Sequence, residues 1–206
     1  MVSSFLLVFV KSSLKTHFIL IIYMITKKGK LLMNNAYKDI VSKYIYAKDN
    51  NKPHLMKSVF TEVSKLDVKL KSQNISFPAT TKGLKEITEV LISSFNNTYD
   101  NVYTLCLEDT LVLEENSLKS IWLVVMTEKQ SGKVRFGYGS YYWSFHNNNL
   151  AEYLNITIEN MIILEEKFAD ELLTWISSLA YPWCESKIIL ESLPKIEELD
   201  SFRKEF

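Results

Sequence analysis

Apolar residues recur with helical spacing in the segment that follows residue 35. Between Ala36 and Ala47 they stand three or four positions apart, as on the buried face of a helix: Tyr37, Ile40, Val41, Tyr44, Ile45 and Ala47. The polar run Asp49–Asn51 interrupts this pattern, and Asn51 is placed to cap a second helix from about Pro53 to Val59. The pattern therefore predicts two helices in succession.

The spacing then changes to alternation and back again. Residues 65–71 alternate between polar and apolar, which predicts a half-buried strand, and residues 75–77 predict a short return strand that ends at a proline. Residues 80–83 are expected to open a third helix, with Thr80 or Thr81 as its N-cap. The core face of that helix is predicted to hold Leu84, Ile87, Val90, Leu91 and Phe95.

Long strands fill the next part of the chain. Four are predicted, over about Asn101–Asp109, Ser120–Lys129, Lys133–His146 and Tyr153–Leu164. Gln130-Ser131-Gly132 is a hairpin turn between the second and the third.

Helical spacing returns in the C-terminal part, from Glu165 to Ala180. Its apolar stripe is Phe168, Leu172, Leu173, Ile176 and Leu179. Tyr181-Pro182-Trp183 ends this helix, and the charged segment from Glu197 to Lys204 is expected to fray.

Composition and charge narrow the function classes. The chain has 206 residues, 47% of them hydrophobic, which suits one medium-sized domain. Lys+Arg and Asp+Glu both number 24, so the chain lacks the basic excess typical of nucleic-acid binding. Cys106 and Cys184 stand far apart without a Cys/His cluster, which argues against zinc and fits a reducing compartment. No P-loop or dinucleotide fingerprint is present, so we expect neither metal nor nucleotide cofactor.

The first 32 residues do not fit the domain pattern. The apolar stretches Phe5–Val10 and Phe18–Ile25 are separated by basic residues, which are costly within a membrane span. Three interpretations remain: a membrane anchor with a basic flank, a signal-like segment, or an upstream extension outside the native domain. We favour the last, because Met33 stands immediately before the first helical pattern.

The order helix–helix–strand–helix–four strands resembles the nuclear transport factor 2-like superfamily, in the bacterial branch with the SnoaL-like polyketide cyclases. The residues that carry the resemblance are Tyr37, Tyr44 and Tyr46, Ala47-Lys48-Asp49, Val59-Phe60, Gly83, Ile87 and Phe95, then Trp122, Gly137, Gly139 and Trp143.

This resemblance implies an α+β cone, in which a strongly curved mixed or antiparallel sheet wraps over N-terminal helices and a C-terminal helix follows. The cone would occupy residues 33–180, with 181–206 as a C-terminal extension. Such proteins often form dimers and have a pocket between sheet and helices. The superfamily includes isomerases, dehydratases, cyclases, transport adaptors and non-enzymes, so the fold alone does not imply an activity.

Two residues are candidate acid–base catalysts. Glu159 stands near the centre of the strand Tyr153–Leu164, and it could act as a base if its face lines the pocket, or be a surface charge otherwise. His146 qualifies because histidine titrates near neutral pH, although a solvated strand-end histidine is the alternative.

Aromatic residues supply the candidate ligand-binding set, which is Tyr103, Trp122, Tyr138 and Tyr142. Core packing of these rings is the alternative. Gly137 and Gly139 share one face of their strand, where they indicate sheet bending or, less simply, a ligand lying over bare backbone.

The predicted central strands are apolar on both faces, so the convex face of the sheet needs a cover. A second copy of the chain is the simplest cover and predicts a homodimer through this face, whereas the segment Trp175–Trp183 could instead fold back over it.

These observations predict a cytoplasmic cone that binds a small apolar molecule in an aromatic cavity, with isomerase-, dehydratase- or cyclase-type proton transfer if it is an enzyme. The alternative is a non-catalytic dimeric interaction module whose cavity is filled by its own side chains. The third possibility is a membrane-tethered domain, which requires residues 1–32 to be native.

Overall fold

The computed structural model describes residues 35–146 and 149–205. The chain divides into two compact units, Met1–Lys38 and Asp39–Phe206, and the fold below is that of the second. The expectations for residues 1–32 lie outside the described residues. Among the helices of the described ranges, none is long and apolar enough to cross a membrane.

The predicted N-terminal helices are confirmed, but one cap is not. Helix α1 covers residues 35–49, and a 3-10 helix covers Pro53–Ser58. The N-cap position of the second helix is Lys52, without a side-chain capping bond. Asn51 instead adopts φ of 50°, while Lys52 N–H donates to the Ala47 carbonyl at 2.8 Å. Asn51 therefore ends α1 with a left-handed residue, a role that asparagine tolerates well.

The strand pair that follows differs from the prediction. Strand β1 is Phe60–Leu70, and β2 is Thr80–Lys82, paired antiparallel to it. The segment predicted as a return strand, residues 75–77, is irregular. Thr80 and Thr81 belong to β2 and cap no helix, because their backbone groups pair with β1.

The third helix begins after Gly83, whose φ of 90° suits glycine alone. It runs as α2 (Leu84–Thr88), a π-helical segment (Glu89–Ser94) and α3 (Phe95–Thr98). The π segment adds a residue to the turn, so Ile92 is buried in addition to Leu91 while Val90 is only half-buried.

The four long strands are confirmed in number and order. They are β3 (Tyr99–Leu107), β5 (Ser117–Glu128), β6 (Val134–Phe145) and β7 (Ala151–Leu164), with the short β4 (Val112–Leu113) beside β5. With β8 (Trp183–Cys184), the sheet has the order β2-β1-β7-β6-β5-β3-β8. The pairs β1–β7 and β3–β8 are parallel and the others antiparallel, so the sheet is mixed. It is curved and does not close.

The C-terminal segment is helical and packed, contrary to the expected fraying. It forms a 3-10 turn (Glu166–Phe168), α4 (Ala169–Ser177), α5 (Ser186–Ser192), a second 3-10 turn (Glu197–Leu199) and α6 (Asp200–Glu205). Phe202 is fully buried, with its ring centroid 5.1 Å from Phe136 and 5.3 Å from Tyr138. This aromatic contact anchors a segment whose charged residues alone suggested mobility.

The same chain covers much of the convex sheet face. One apolar cluster joins this face to the C-terminal helices, and its main members are Leu105, Leu123, Val125, Val134, Phe136 and Tyr138 from the sheet, with Leu172, Trp175, Ile176, Ile189, Leu199 and Phe202 from the helices. The fold-back cover is therefore present and extends well beyond the Trp175–Trp183 segment. The homodimer stays a prediction.

Candidate functional site

A β-bulge shapes the centre of the sheet. Tyr138 pairs with Asn160 but Gly139 pairs with Ile158, so Glu159 is an extra residue in β7. The extra residue reverses the alternation of side chains along β7. Ile156 and Ile158 face the concave side before the bulge, and Met161 faces it after the bulge.

A cavity lies between the concave face of the sheet and the helices. The sheet contributes most of its wall, with Val68, Thr104, Trp122, Val124, Met126, Tyr141, Ile156, Ile158 and Met161. The helices and the irregular segment before β2 supply the rest, with Tyr44, Lys48, Ile75, Phe77, Leu91 and Phe95. Ile75 and Phe77, whose spacing predicted a return strand, thus line this cavity.

The cavity is largely filled by the protein's own side chains. Its free volume is about 50 Å³, whereas pockets for drug-sized ligands typically measure roughly 300–1,000 Å³. The Met161 methyl group lies closer than van der Waals contact to the position of a β-carbon on Gly137, and the Trp122 ring lies close to Gly139. The backbone of the two glycines is thus covered by side chains of the protein itself.

A buried ion pair stands at one end of the cavity. Lys48 Nζ lies 2.6 Å from Asp49 Oδ1, and the side chains of both residues are almost completely buried. The same Nζ donates to Thr104 Oγ1 at 2.8 Å and lies 5.0 Å from the centre of the Phe95 ring. Lys48 is the only charged residue of the cavity wall among the described residues.

The Asp49 carboxylate is fully occupied. Besides the Lys48 ammonium, it accepts bonds from Thr104 N–H at 2.7 Å, Thr104 Oγ1 at 2.9 Å and the Tyr181 hydroxyl at 3.1 Å. Four donors meet the hydrogen-bonding capacity of a carboxylate. Asp49 therefore joins the end of α1 to β3 and to the C-terminal segment, with both of its oxygens engaged.

Two tyrosines lie beside this network. The rings of Tyr44 and Tyr141 meet edge to face, with centroids 6.0 Å apart. Both are completely buried, and desolvation of the phenolate raises the pKa of each above its ordinary value. Both phenols consequently stay neutral throughout the physiological pH range.

Neither a protein-family model nor a curated protein matches this chain, but solved structures do. A scytalone dehydratase-like protein of Novosphingobium aromaticivorans superposes with a TM-score of 0.50 at 12% identity, over 66% of this chain and 90% of that protein. A hexachlorocyclohexane dehydrochlorinase (LinA, type 2) superposes with a TM-score of 0.51 at 15% identity, over 65% of this chain and 90% of that protein. For a nuclear transport factor 2-like protein of Burkholderia xenovorans the TM-score is 0.48 at 9% identity, over 60% of this chain and 89% of that protein.

The fold is that of the nuclear transport factor 2-like superfamily. The superpositions with the dehydratase-like protein and the dehydrochlorinase cover 90% of each of those proteins, whereas about a third of this chain lies outside them. At identities of 12% and 15% the likeness establishes the cone and no activity.

Of the aromatic residues predicted to bind a ligand, Trp122 lies at the wall of this cavity. Tyr138 and Tyr142 belong to the opposite face of β6. Tyr138 packs on Phe202, and Tyr142 meets Tyr153 with ring centroids 6.1 Å apart. The structure therefore does not bring Tyr138 and Tyr142 together with Trp122.

Tyr103 also lies outside the cavity. It packs against the apolar cluster between the convex sheet face and the C-terminal helices. It also lines a polar surface groove of about 320 Å³, together with Tyr46, Asp100 and Tyr181.

The two candidate catalysts lie away from the cavity wall. Glu159, the bulge residue, is about one-third exposed and forms an ion pair with Lys71 at 2.5 Å. His146 is exposed just beyond the end of β6. The structure brings neither of them close to the other or to Trp122.

Sequence reasoning missed the polar network of the cone. A signal for Lys48 was available, because Lys48 follows Tyr44 by four residues and so falls on the apolar stripe of α1. No comparable signal existed for Thr104, because its contact with Asp49 spans 55 residues of sequence.

Proposed function

We propose that this protein binds a small, mainly apolar molecule inside the cone and performs no proton-transfer chemistry on it. The observation that supports this is the composition of the cavity wall. It is apolar and aromatic apart from Thr104, the two tyrosine hydroxyls, the Trp122 N–H and Lys48, whose charge Asp49 balances. Apolar pockets with a few placed polar groups are typical of small-molecule sites.

General acid–base catalysis requires a group that can exchange a proton at the reacting atom. Asp49 has its oxygens engaged by four donors, and the raised pKa of Tyr44 and Tyr141 makes both phenols poor acids. The proposal therefore favours binding over the isomerase, dehydratase or cyclase chemistry expected from the resemblance.

The small free volume is compatible with binding because flexible side chains line it. Met126 and Met161 both border the cavity, and methionine changes rotamer at low cost. Movement of either thioether would enlarge the space without moving the backbone. We therefore expect a ligand of about six to nine non-hydrogen atoms, because a cavity of ~150 Å³ accommodates benzene.

Titration with methylenecyclohexane, followed through the methyl resonances of ¹³C-methionine-labelled protein, tests the proposal. We expect saturable shifts of the Met126 and Met161 signals. Ile158→Phe fills the cavity and should abolish the shifts, whereas Ile163→Phe, at a half-exposed position on the same strand, should preserve them. Absence of any saturable shift in the unsubstituted protein would refute the proposal.

The absence of proton transfer has its own test. Cyclohexanone exchanges its α-hydrogens in D₂O, and a protein that catalyses enolisation accelerates this exchange. We expect the same rate with and without saturating protein. An acceleration that Lys48→Met removes would instead assign an acid–base role to the cavity.

A second candidate function is the dimeric interaction module, and the self-filled cavity favours it. The C-terminal helices leave part of the convex face uncovered, and the half-buried residues Ser140, Tyr142 and Tyr153 form this outer strip. The proposed homodimer would use that strip. Light scattering should then show a dimer that Tyr142→Glu dissociates and Tyr46→Glu, at an exposed site elsewhere, does not.

A cytoplasmic location is part of the proposal. Cys106 and Cys184 are both buried and form no disulfide, and desolvation raises the pKa of the Cys184 thiol. Unpaired thiols are typical of reducing compartments.

A further inference from the structure

We propose that the ligand of the cavity carries a neutral carbonyl oxygen, which accepts hydrogen bonds from the Lys48 ammonium and the Trp122 indole N–H. This inference rests on the proposed function, that the cavity binds a small apolar molecule. It adds the chemical class of the ligand and the two groups that recognise it.

The first support is the unused donor capacity of Lys48. An ammonium group has three N–H donors. Asp49 Oδ1 and Thr104 Oγ1 accept two of them, and the described residues offer no third acceptor. The Lys48 side chain is 8% exposed and borders the cavity, so bulk water does not replace the missing partner.

The second support is independent and comes from Trp122. Its indole N–H is buried and has no hydrogen-bond partner among the described residues. Three other buried polar atoms share this property, on Thr81, Arg135 and Trp143, but only Trp122 belongs to the cavity wall. Buried donors are nearly always paired in folded proteins, so an unpaired one at a cavity indicates a missing acceptor.

The unused N–H groups of Lys48 and Trp122 are both donors, so each requires a hydrogen-bond acceptor on the ligand. The Asp49 oxygens are fully engaged, and Thr104 Oγ1 accepts from Lys48 while it donates to Asp49. An amine or amide N–H of a ligand would compete with these existing donors. A carbonyl oxygen has two lone pairs and no hydrogen, so it satisfies both donors and leaves none of its own.

The charge balance of the cavity favours a neutral group. Asp49 already compensates Lys48 at 2.6 Å. A carboxylate ligand would bring a second negative charge into an apolar site and leave the cavity with a net charge of about −1, which is costly to bury. A ketone, quinone or ester oxygen adds no charge.

The test uses cyclohexanone and methylenecyclohexane, which have nearly the same shape and differ in C=O against C=CH₂. Their solubilities in water differ, so the quantity compared is the ratio of their two dissociation constants in each protein variant. Methionine methyl resonances report binding of both probes. We expect the ratio to shift at least tenfold against cyclohexanone when the Lys48 donor is removed.

The variant for this purpose is the double substitution Lys48→Met with Asp49→Asn, which removes the charge pair together. Trp122→Phe removes the indole N–H together with part of the ring volume. The added space is open to both probes, so the ratio should still shift several-fold in the same direction, which keeps the test valid if the double variant does not fold. Lys69→Met, at an exposed lysine of β1, is the matched control and should leave the ratio unchanged.

The outcomes separate the two proposals. Saturable binding of methylenecyclohexane with an unchanged ratio in both variants overturns the carbonyl assignment and leaves the apolar site standing. Absence of binding of either probe refutes both. Tighter binding of cyclohexanecarboxylate than of cyclohexanone overturns the neutral class, because it would show that an anion is preferred.

Discussion

The carbonyl oxygen of Thr157 lies much closer than van der Waals contact to the position that a β-carbon on Gly139 would take. The bulge at Glu159 brings this backbone atom against β6, because two residues of β7 face one residue of β6 there. A glycine is thus required at position 139, because another backbone approaches it closely. This approach results from the bending of the sheet at the bulge.

Two glycine substitutions separate a backbone clash from a side-chain clash. We expect Gly139→Ala to lower the free energy of unfolding by about 3 kcal/mol or more, because Thr157 cannot retreat without breaking the strand pair. Gly137→Ala meets the end of the flexible Met161 side chain and should cost less than about 1.5 kcal/mol. Urea unfolding measures both, and equal losses would contradict the assignment of the bulge.

The buried ion pair should reveal its coupling in a mutant cycle. Asp49→Asn leaves the Lys48 ammonium buried without its counter-charge, so we expect a loss of about 3 kcal/mol. Adding Lys48→Met to that variant should restore part of the loss, because no uncompensated charge remains. Urea unfolding of the two single variants and the double variant gives the coupling, and strictly additive losses would disprove a coupled pair.

The contact of Phe202 with the convex face should be a major source of stability. Phe202→Ala removes a fully buried ring from Phe136 and Tyr138, and we expect a loss of about 3–4 kcal/mol. Ile188→Ala on α5, at a half-exposed position, should change stability by less than about 1 kcal/mol. Thermal unfolding distinguishes the two, and a silent Phe202→Ala would mean that α6 is dispensable.

Asp67 should make the domain sensitive to acid. The hydrogen bond from Lys65, then those from Thr80 and Tyr153, lower the pKa of this carboxyl group. Its stabilisation is therefore complete above the ordinary carboxyl pKa of about 4 and is lost as the pH falls through the lower folded value.

Asp67→Asn should remove this component and flatten the dependence of stability on pH below about 4. The measurement is a series of urea unfolding curves between neutral and acidic pH. A variant with the same acid slope as the unsubstituted protein would exclude Asp67 as the titrating group. Asp170→Asn, at an exposed carboxylate in the first turn of α4, is the control and should retain the slope.

The order of elements could be predicted because burial of one face repeats with the local period of a helix or a strand. The apolar stripe of α1 and the alternation of the long strands show this. The turn before β6 could be predicted as well, from Gly132 and the polar residues before it. The helix caps predicted at Asn51, Thr80 and Thr81 were wrong, because a polar residue near a helix can equally end the preceding element or join a strand.

The candidate site was predicted less well, because a single extra residue reverses alternation. Up to Ile158, alternation along β7 places Ile156 and Ile158 on the cavity side. Beyond Glu159 the alternation is reversed, so Met161 enters the cavity and Ile162 faces away from it. Glu159 itself became the bulge residue paired with Lys71.

The sequence by itself determined the helices, the long strands and hence the cone, because periodic burial is a local property of the chain. Only the tertiary structure decided which sheet face is concave, where the bulge lies, and that Lys48 and Asp49 meet Thr104. It also decided that the C-terminal helices cover the convex face. These features depend on contacts between residues distant in sequence, and the pairing register and steric fit that set them have no local pattern.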